Sequence, residues 1–128
     1  MAGRRKYGNK TIEINGLTFD SKKEGYYYLF LLQQLRERKI LGFRRQVQYE
    51  IVPAVYETEV KHFKRKPDEV REKCVQPAVH YIADFVTTLL DGTEEVVDVK
   101  SEATRKDKVY VLKKKMMRAF NGITIVEV

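Results

Sequence analysis

The sequence predicts a single α/β domain in which a mixed central β-sheet is flanked by helices. Residues 21–39 and 106–120 carry apolar residues at helical spacing. Shorter segments alternate apolar and polar residues around Asn-Gly and Asp-Gly turns, as strands in hairpins do. The second helical segment stands between two apolar strands, which is typical of a crossover to a parallel strand. A chain of 128 residues with 43% hydrophobic content is enough for one core.

The first elements follow local signals. Residues 1–9 are expected to form a flexible basic arm, and "TIEINGLTF" at 11–19 predicts a hairpin that turns at Asn15 and Gly16. Residues 21–39 predict a helix that stops at Gly42. The stripe expected to face the core of that helix consists of Tyr28, Leu31, Leu32 and Leu35.

Residues 44–78 predict a strand followed by a segment with two readings. "RRQVQYEIV" at 44–52 alternates, with Val47, Tyr49 and Ile51 on the buried face, until Pro53 interrupts it. After it, "AVYETEVKHF" favours another strand, while "KRKPDEVREK" fits either a charged loop or a short helix opened by Pro67.

The strands 79–90 and 94–101 flank Asp91-Gly92 and predict an antiparallel hairpin. A two-residue loop would place Asp84 opposite Val99, on the wrong face for Asp98. We therefore expect an odd number of loop residues, with glycine in a left-handed conformation, or a bulge in one strand.

The last segments predict a helix and a strand. The apolar stripe of "KDKVYVLKKKMMRAF" consists of Val109, Leu112, Met116 and Phe120, and Asn121-Gly122 is a helix stop. "ITIVEV" at 123–128 is expected to run parallel to the strand that carries Asp98.

The charge balance favours a polyanionic partner. The net charge is +7 and the isoelectric point is near 9.5. Cys74 is the one cysteine, so no disulfide forms within the chain, and no apolar run is long enough to span a bilayer. No secretory signal is recognisable, and these features predict a cytoplasmic protein without a membrane partner.

Asp84, Asp98 and Lys100 carry the candidate chemistry. Two carboxylates and an ammonium at one edge of a sheet suit Mg²⁺-assisted phosphodiester hydrolysis, because carboxylates bind hard cations and a lysine offsets charge in the transition state. The simpler interpretation of Asp98 and Lys100 is a surface ion pair worth less than about 1 kcal/mol. Asp84 argues against it, since it lies in the apolar run "YIADF", where an unpaired carboxylate is costly to desolvate.

These residues resemble a known family. "YIADF", a gap and "VVDVKS", preceded by "FDSKKE" and followed by a lysine-rich helix and a last strand, are similar to the PD-(D/E)XK nuclease superfamily, and within it to small phage-encoded endonucleases. The similarity covers residues 10–128, except that 54–78 resembles an insertion. This chain departs from the pattern at Ala83, where the family has proline.

The resemblance implies a restriction-endonuclease-like core and a metal-dependent DNA endonuclease that uses Mg²⁺ or Mn²⁺. It implies that Asp84, Asp98, Glu24 and the main-chain carbonyl of Val99 bind the metal and that Lys100 assists the attacking water. Products with a 5′ phosphate and a 3′ hydroxyl are expected, in phage recombination, repair or packaging. A member that cuts branched DNA is expected to form a homodimer.

Several residues have a second reading. Glu24 also completes a capping box with Ser21, a use that competes with metal binding. A basic cluster that follows the predicted site either faces solvent or contacts DNA phosphates. It consists of Arg105, Lys106, Lys108, Lys113, Lys114 and Lys115. Gln46 is a further candidate for a phosphate contact.

Other function classes find little support or stay open. His62 and His80 without a CxxC motif do not suggest a zinc site, and no phosphate-binding glycine loop predicts a nucleotide cofactor. Two alternatives to the DNA endonuclease remain, namely a non-catalytic basic protein that binds DNA and a nuclease whose substrate is RNA.

Overall fold

A computed structural model describes residues 10–128, so the basic arm predicted at 1–9 lies outside the described residues. The strands and helices follow one another as β1 (Ile12–Ile14), β2 (Leu17–Phe19), α1 (Lys22–Arg36), β3 (Ile40–Val52), β4 (Val55–Lys61), β5 (Glu69–Gln76), β6 (Val79–Leu89), β7 (Glu94–Asp98), α2 (Glu102–Arg105), α3 (Lys108–Asn121) and β8 (Val126–Glu127).

The central sheet is mixed, which confirms the α/β class. Its four strands lie in the order β3-β6-β7-β8, with antiparallel pairing between the first three. The short strand β8 runs parallel to β7, with Val97 opposite Val126 and Asp98 opposite Glu127, as the strand, helix and strand order predicts.

The turn between β6 and β7 confirms the predicted loop of odd length. Val86 faces Val96, and Leu89 donates its N–H to the carbonyl of Thr93 at 2.8 Å, which leaves three residues in the loop. Gly92 has φ +86°, the left-handed conformation that a three-residue hairpin needs. Continued by one step beyond Phe85 and Val97, this register places Asp84 opposite Asp98.

Helices cover the sheet on both sides, and each side has its own core. On one side α3 contributes Tyr110 and Met117, which pack with Tyr81 and Val96 of the sheet. On the other side α1 and the β1–β2 hairpin pack Tyr28, Leu31 and Phe19 against Phe85 and Val97. Each core buries apolar area that the isolated element would leave in water.

Strand β3 changes the face that it buries part-way along its length. Phe43 packs with the core of α1, whereas Val47, Tyr49 and Ile51 pack with the core of α3, as the alternation of 44–52 predicts for the latter three. The change falls at Gln46, which has φ +51°. A left-handed residue inside a strand rotates the following side chains to the other face, so one strand serves both cores.

The predicted end of α1 is wrong. The helix ends at Arg36, and Arg38 adopts φ +59° while the N–H of Lys39 bonds the carbonyl of Gln34 at 2.9 Å. This arrangement satisfies the last carbonyls without a glycine. Gly42 lies instead in β3, opposite Thr88. Leu35, predicted in the buried stripe, is 38% exposed because it falls in the last turn, beyond the sheet.

The apolar stripe predicted for α3 is confirmed only at Met116, which is half-buried against the core, although the helix and its stop at Gly122 are confirmed. Val109, Leu112 and Phe120 are exposed, and Tyr110 and Met117 are buried in their place. The two stripes differ by one residue, which is a rotation of about 100° about the helix axis. Apolar spacing alone does not distinguish them.

Residues 55–76 form a two-stranded antiparallel ribbon, β4 and β5, in which Val60 faces Val70. The strand predicted from "AVYETEVKHF" is therefore confirmed. The short helix considered after Pro67 is wrong, because Glu69–Gln76 is a strand that pairs with β4. Among residues 10–128 no helix is long and apolar enough to cross a membrane.

Candidate active site

Asp84 and Asp98 lie side by side on β6 and β7, where the odd loop brings them to one face. The backbone N–H of Asp84 donates to Asp98 Oδ1 at 3.3 Å, and the N–H of Val99 donates to Asp84 Oδ2 at 2.9 Å. Asp98 has no exposed surface, and Asp84 is 8% exposed. Buried carboxylates are costly unless they are paired and hydrogen-bonded, so this pair needs the partners around it.

Lys100 is the cation of this pair. Its ammonium lies 3.7 Å from Asp98 Oδ1 and 4.0 Å from Asp84 Oδ2, and about a quarter of its side chain, 23%, is exposed. The backbone from Asp98 to Lys100 is tied to Val128, the residue after β8. The N–H of Lys100 donates to the carbonyl of Val128, and the N–H of Val128 donates to the carbonyl of Asp98. The three residues therefore form a buried unit and not a surface ion pair.

Glu24 reaches the same place from the first turn of α1. Ser21 is the N-cap, and its Oγ accepts the N–H of Glu24 at 3.1 Å, as the capping motif predicts. The Glu24 carboxylate, however, accepts a hydrogen bond from Gln46 Nε2 at 3.2 Å. The helix start therefore places Glu24, and the left-handed turn of β3 at Gln46 holds its carboxylate toward the two aspartates.

The electrostatics of the site favour protons or cations. Burial, and then the negative charges of Asp84 and Asp20, raise the pKa of Glu24 to about 7, against a smaller lowering by Arg45 and Lys100. Burial and the neighbouring Asp98 likewise raise the pKa of Asp84 above its ordinary value, with Lys100 opposing them. One ammonium beside three carboxylates does not balance their charge.

A cavity of about 290 Å³ opens beside these residues. Its walls include Glu24, Asp84, Val99 and Lys100, while Asp20, Ser21, Lys23, Ser101 and Thr104 complete the lining. Asp98, the neighbour of Asp84, is fully buried and does not line the cavity. Lys23 donates from Nζ to the carbonyl of Lys100 at 3.1 Å and so adds a second cation to the rim.

The donor set fits a hard divalent cation in its chemistry. Glu24 and Asp84 present carboxylate oxygens to the cavity, with Val99 beside them, and surplus negative charge is what Mg²⁺ or Mn²⁺ neutralises. As the side chains stand, no group of three or more histidine, cysteine or acidic residues within 10–128 is arranged to hold a metal. Gln46, Tyr81 and Lys100 hold the three carboxylates in their present positions.

Tyr81 is a site residue that the sequence analysis missed. Its hydroxyl donates to Asp98 Oδ2 in a short hydrogen bond. Burial and the charge of Asp98 raise the pKa of Tyr81, so it stays a neutral donor. Its position in "VHYIADF" carries no sign of this role, because the partner lies on the next strand and only the register of the hairpin joins them.

Replacing Tyr81 by phenylalanine is expected to lower the free energy of unfolding by about 2 kcal/mol, because a fully buried carboxylate loses a hydroxyl donor. Tyr49 faces Tyr81 on the neighbouring strand and provides a matched control, since Tyr49→Phe removes a hydroxyl that does not touch the acids. Urea unfolding of the two variants measures the difference. Equal stability of Tyr81→Phe and Tyr49→Phe would show that Asp98 does not depend on this hydroxyl.

The predicted basic cluster divides in the structure. Arg105 and Lys114 converge on Glu127 of β8, where Lys114 Nζ forms a close ion pair with Oε1 and Arg105 Nε lies 3.7 Å from Oε2. Lys106 and Lys108 are exposed around the start of α3, and Lys113 is half-buried. Two of the six residues of the basic cluster therefore also tie α2 and α3 to the end of the sheet. Gln46 contacts Glu24.

The fold and the site together define an α/β protein with a buried acidic pair and a lysine beside a cavity. The chain belongs to the family described as protein of unknown function (DUF1064), whose model matches residues 4–125. No curated protein and no solved structure matches the chain.

Proposed function

We propose that this protein is a metal-dependent DNA endonuclease of the PD-(D/E)XK type, with a restriction-endonuclease-like core. One observation carries the proposal: Asp84, Asp98 and Lys100 share one face of a hairpin, and Glu24 joins them at a cavity open to solvent. A protein that used these acids only for stability would gain little from burying surplus negative charge, because the cost of desolvating the carboxylates exceeds the attraction to the lysine.

The residues divide the work of hydrolysis. In the reaction the oxygen of a water molecule forms a bond to phosphorus, and the bond between phosphorus and the 3′ oxygen breaks. The 3′ oxygen receives a proton that the water has given up, so the products are a 5′ phosphate and a 3′ hydroxyl. Lys100 is placed to offset the negative charge that grows on the phosphate and to orient the water. Glu24 presents its carboxylate to the same cavity, where it would help to hold the ion that activates the water.

Asp84, Asp98 and Glu24, with the carbonyl of Val99, are the groups that would hold Mg²⁺ or Mn²⁺. The ion supplies Lewis-acid polarisation of a phosphoryl oxygen and makes a bound water more acidic. The hydrogen bonds from Gln46 to Glu24 and from Tyr81 to Asp98 orient the carboxylates before an ion arrives. The exposed Lys106 and Lys108 suit contacts to the phosphate backbone near the start of α3.

A second function has support from one observation. Lys100 already pairs with both aspartates, and the side chains within 10–128 stand in no arrangement ready for a metal. This arrangement is compatible with a non-catalytic protein that binds DNA, in which the acids and the lysine serve only to stabilise the fold. The choice between the two functions depends on whether metal produces cleavage.

The test is incubation of the purified protein with supercoiled, linear, single-stranded and four-way-junction DNA, and with a matched RNA, in Mg²⁺, in Mn²⁺ and in chelator. We expect cleavage of DNA that needs metal and leaves 5′ phosphate ends. The variant Asp98→Ala, prepared in the same way, should not cleave. DNA that stays intact under every condition, while both proteins bind it equally, would replace the nuclease with the accessory protein.

A further inference from the structure

The ribbon formed by β4 and β5 has no partner among the described elements. Its strands pair with each other, belong to no other sheet within 10–128, and are exposed at every residue. An isolated two-stranded ribbon is marginal in water, and this one buries no core of its own. The ribbon leaves the central sheet where Val52 faces Val79, the last pair of β3 with β6.

Charge is separated along the ribbon. Along the two strands, residues of opposite charge face each other: Glu57 faces Lys73, and Glu59 faces Arg71. The tip that joins the strands has a different composition, "KHFKRKPD", with four cationic residues at 61, 64, 65 and 66 against the single acid Asp68. Positive and negative charges therefore balance along the strands of the ribbon, and the excess positive charge lies at its tip.

Contacts within the tip hold this positive charge in place. His62 Nδ1 lies 2.9 Å from Asp68 Oδ2 and closes the base of the tip. The ammonium groups of Lys61 and Lys66 both lie 5.4 Å from the centre of the Phe63 ring, a distance at which cation–π attraction acts. Neither Lys64 nor Arg65 pairs with a carboxylate within 10–128. Like charges brought together in this way repel one another until a polyanion binds.

We propose that the ribbon tip, residues 61–68, binds the phosphate backbone of duplex DNA at a distance from the cleavage site. A two-stranded ribbon is narrow enough to follow a DNA groove, and cations at its end gain affinity by releasing counterions from the duplex. The choice of DNA as the polyanion rests on the proposed function, whereas the charge separation along the ribbon does not.

The length of the ribbon sets how far from the site the contact can lie. At about 3.3 Å per residue, the chain from Asp84 back to Lys66 in the tip spans at most roughly 60 Å. Duplex DNA rises about 3.4 Å per base pair, so the tip can reach phosphates up to about 18 base pairs from the cleaved bond. The ribbon therefore acts as a duplex-binding arm that requires flanking DNA.

The test measures equilibrium binding in chelator, so that hydrolysis does not interfere, to fluorescent duplexes of about 12 and about 40 base pairs. The tip variant carries Lys64→Gln, Arg65→Gln and Lys66→Gln. Its matched control carries Lys10→Gln, Arg36→Gln and Lys39→Gln, which lowers the net charge equally at exposed positions elsewhere. Each is compared with the wild-type chain over a series of salt concentrations.

On the long duplex the tip variant should bind about ten- to a hundredfold more weakly at roughly 0.15 M salt, with the slope of log affinity against log salt reduced by about 3. The control should stay within a few-fold of wild type, and the tip variant should lose less on the short duplex. Equal binding by tip variant and control would overturn the proposal, as would wild-type binding to acidic peptide or RNA but not to duplex DNA. If the tip binds duplex DNA but the protein does not cleave DNA in the presence of metal, the proposed nuclease function is wrong and the proposed DNA-binding role of the ribbon tip still holds.

Discussion

Replacing Lys100 by alanine is expected to lower the rate of metal-dependent DNA cleavage by about 10²- to 10³-fold while the protein stays folded. The ammonium lies within 4.0 Å of both aspartates and is the closest positive charge to the carboxylate pair. Without it, the cavity loses the ammonium that pairs with both aspartates and is placed to offset charge on the phosphate. Initial rates on the best DNA substrate, under saturating Mg²⁺, measure the effect.

Two controls separate chemistry from folding in this experiment. Lys39→Ala removes an ammonium whose side chain is 61% exposed and pairs with Glu37 at the surface, so its rate should match wild type within a factor of two or so. Circular dichroism of Lys100→Ala should show the native content of helix and strand. A folded Lys100→Ala protein that cleaves within a few-fold of wild type would contradict a catalytic role for this lysine.

The stability of the protein in chelator is expected to fall as the pH rises. The folded-state pKa of Glu24 is raised from 4.5 to about 7, so the folded protein holds this proton more tightly than the unfolded chain does. The stabilisation is present below about pH 4.5 and is lost as the pH passes through about 7. A shift of this size corresponds to about 3 kcal/mol, most of it lost between about pH 5 and pH 8.

Burial is the largest cause of the raised pKa of Glu24. The charges of Asp84 and Asp20 raise it further, and Arg45 and Lys100 oppose them more weakly. Asp84 has a raised pKa as well, because of burial and then the charge of Asp98, and its deprotonation as the pH rises adds to the loss in the same direction. Chemical unfolding at a series of pH values, with chelator present, measures the free energy of unfolding directly.

Glu24→Gln should remove much of this pH dependence, because the amide keeps the shape of the side chain but does not ionise. Glu37→Gln is the matched control, since Glu37 is exposed and its pKa is lowered by Gln33 and Lys39. Added Mg²⁺ should restore stability at about pH 8, where the carboxylates are ionised, more than at about pH 5. Wild-type protein that is as stable at pH 8 as at pH 5 would contradict the proposed proton binding.

Local signals in the sequence were sufficient for most of the framework. The Asn15-Gly16 turn, the Ser21 cap and the Gly122 stop each depend on a few neighbouring residues, and each lies where the sequence places it. The loop at Leu90–Gly92 is the most informative of these predictions. It followed from requiring Asp84 and Asp98 to share a face, and the structure has the three-residue loop with left-handed Gly92.

Features that depend on which surfaces meet were not predictable in the same way. The sequence predicts that Gly42 ends α1, but the chain leaves the helix at Arg38, which adopts a left-handed conformation. This conformation leads the chain directly into β3, which begins at Ile40. The two possible stripes of α3 have equal apolar spacing, and contact with the sheet buries Tyr110 and Met117. The second strand of the ribbon, β5, carries too many charges to be recognised as a strand, because cross-strand pairs take the place of a buried face.

The sequence by itself therefore determined the order of elements, the hairpin register and the candidates Asp84, Asp98 and Lys100, because these follow from turn chemistry and side-chain alternation. Glu24 became a candidate only through the resemblance to a nuclease family. Only the tertiary structure placed Gln46 on Glu24 and Tyr81 on Asp98. Both contacts join residues from separate elements, and the left-handed backbone of Gln46 that permits the first is stabilised by the packing of two cores on either side of one strand.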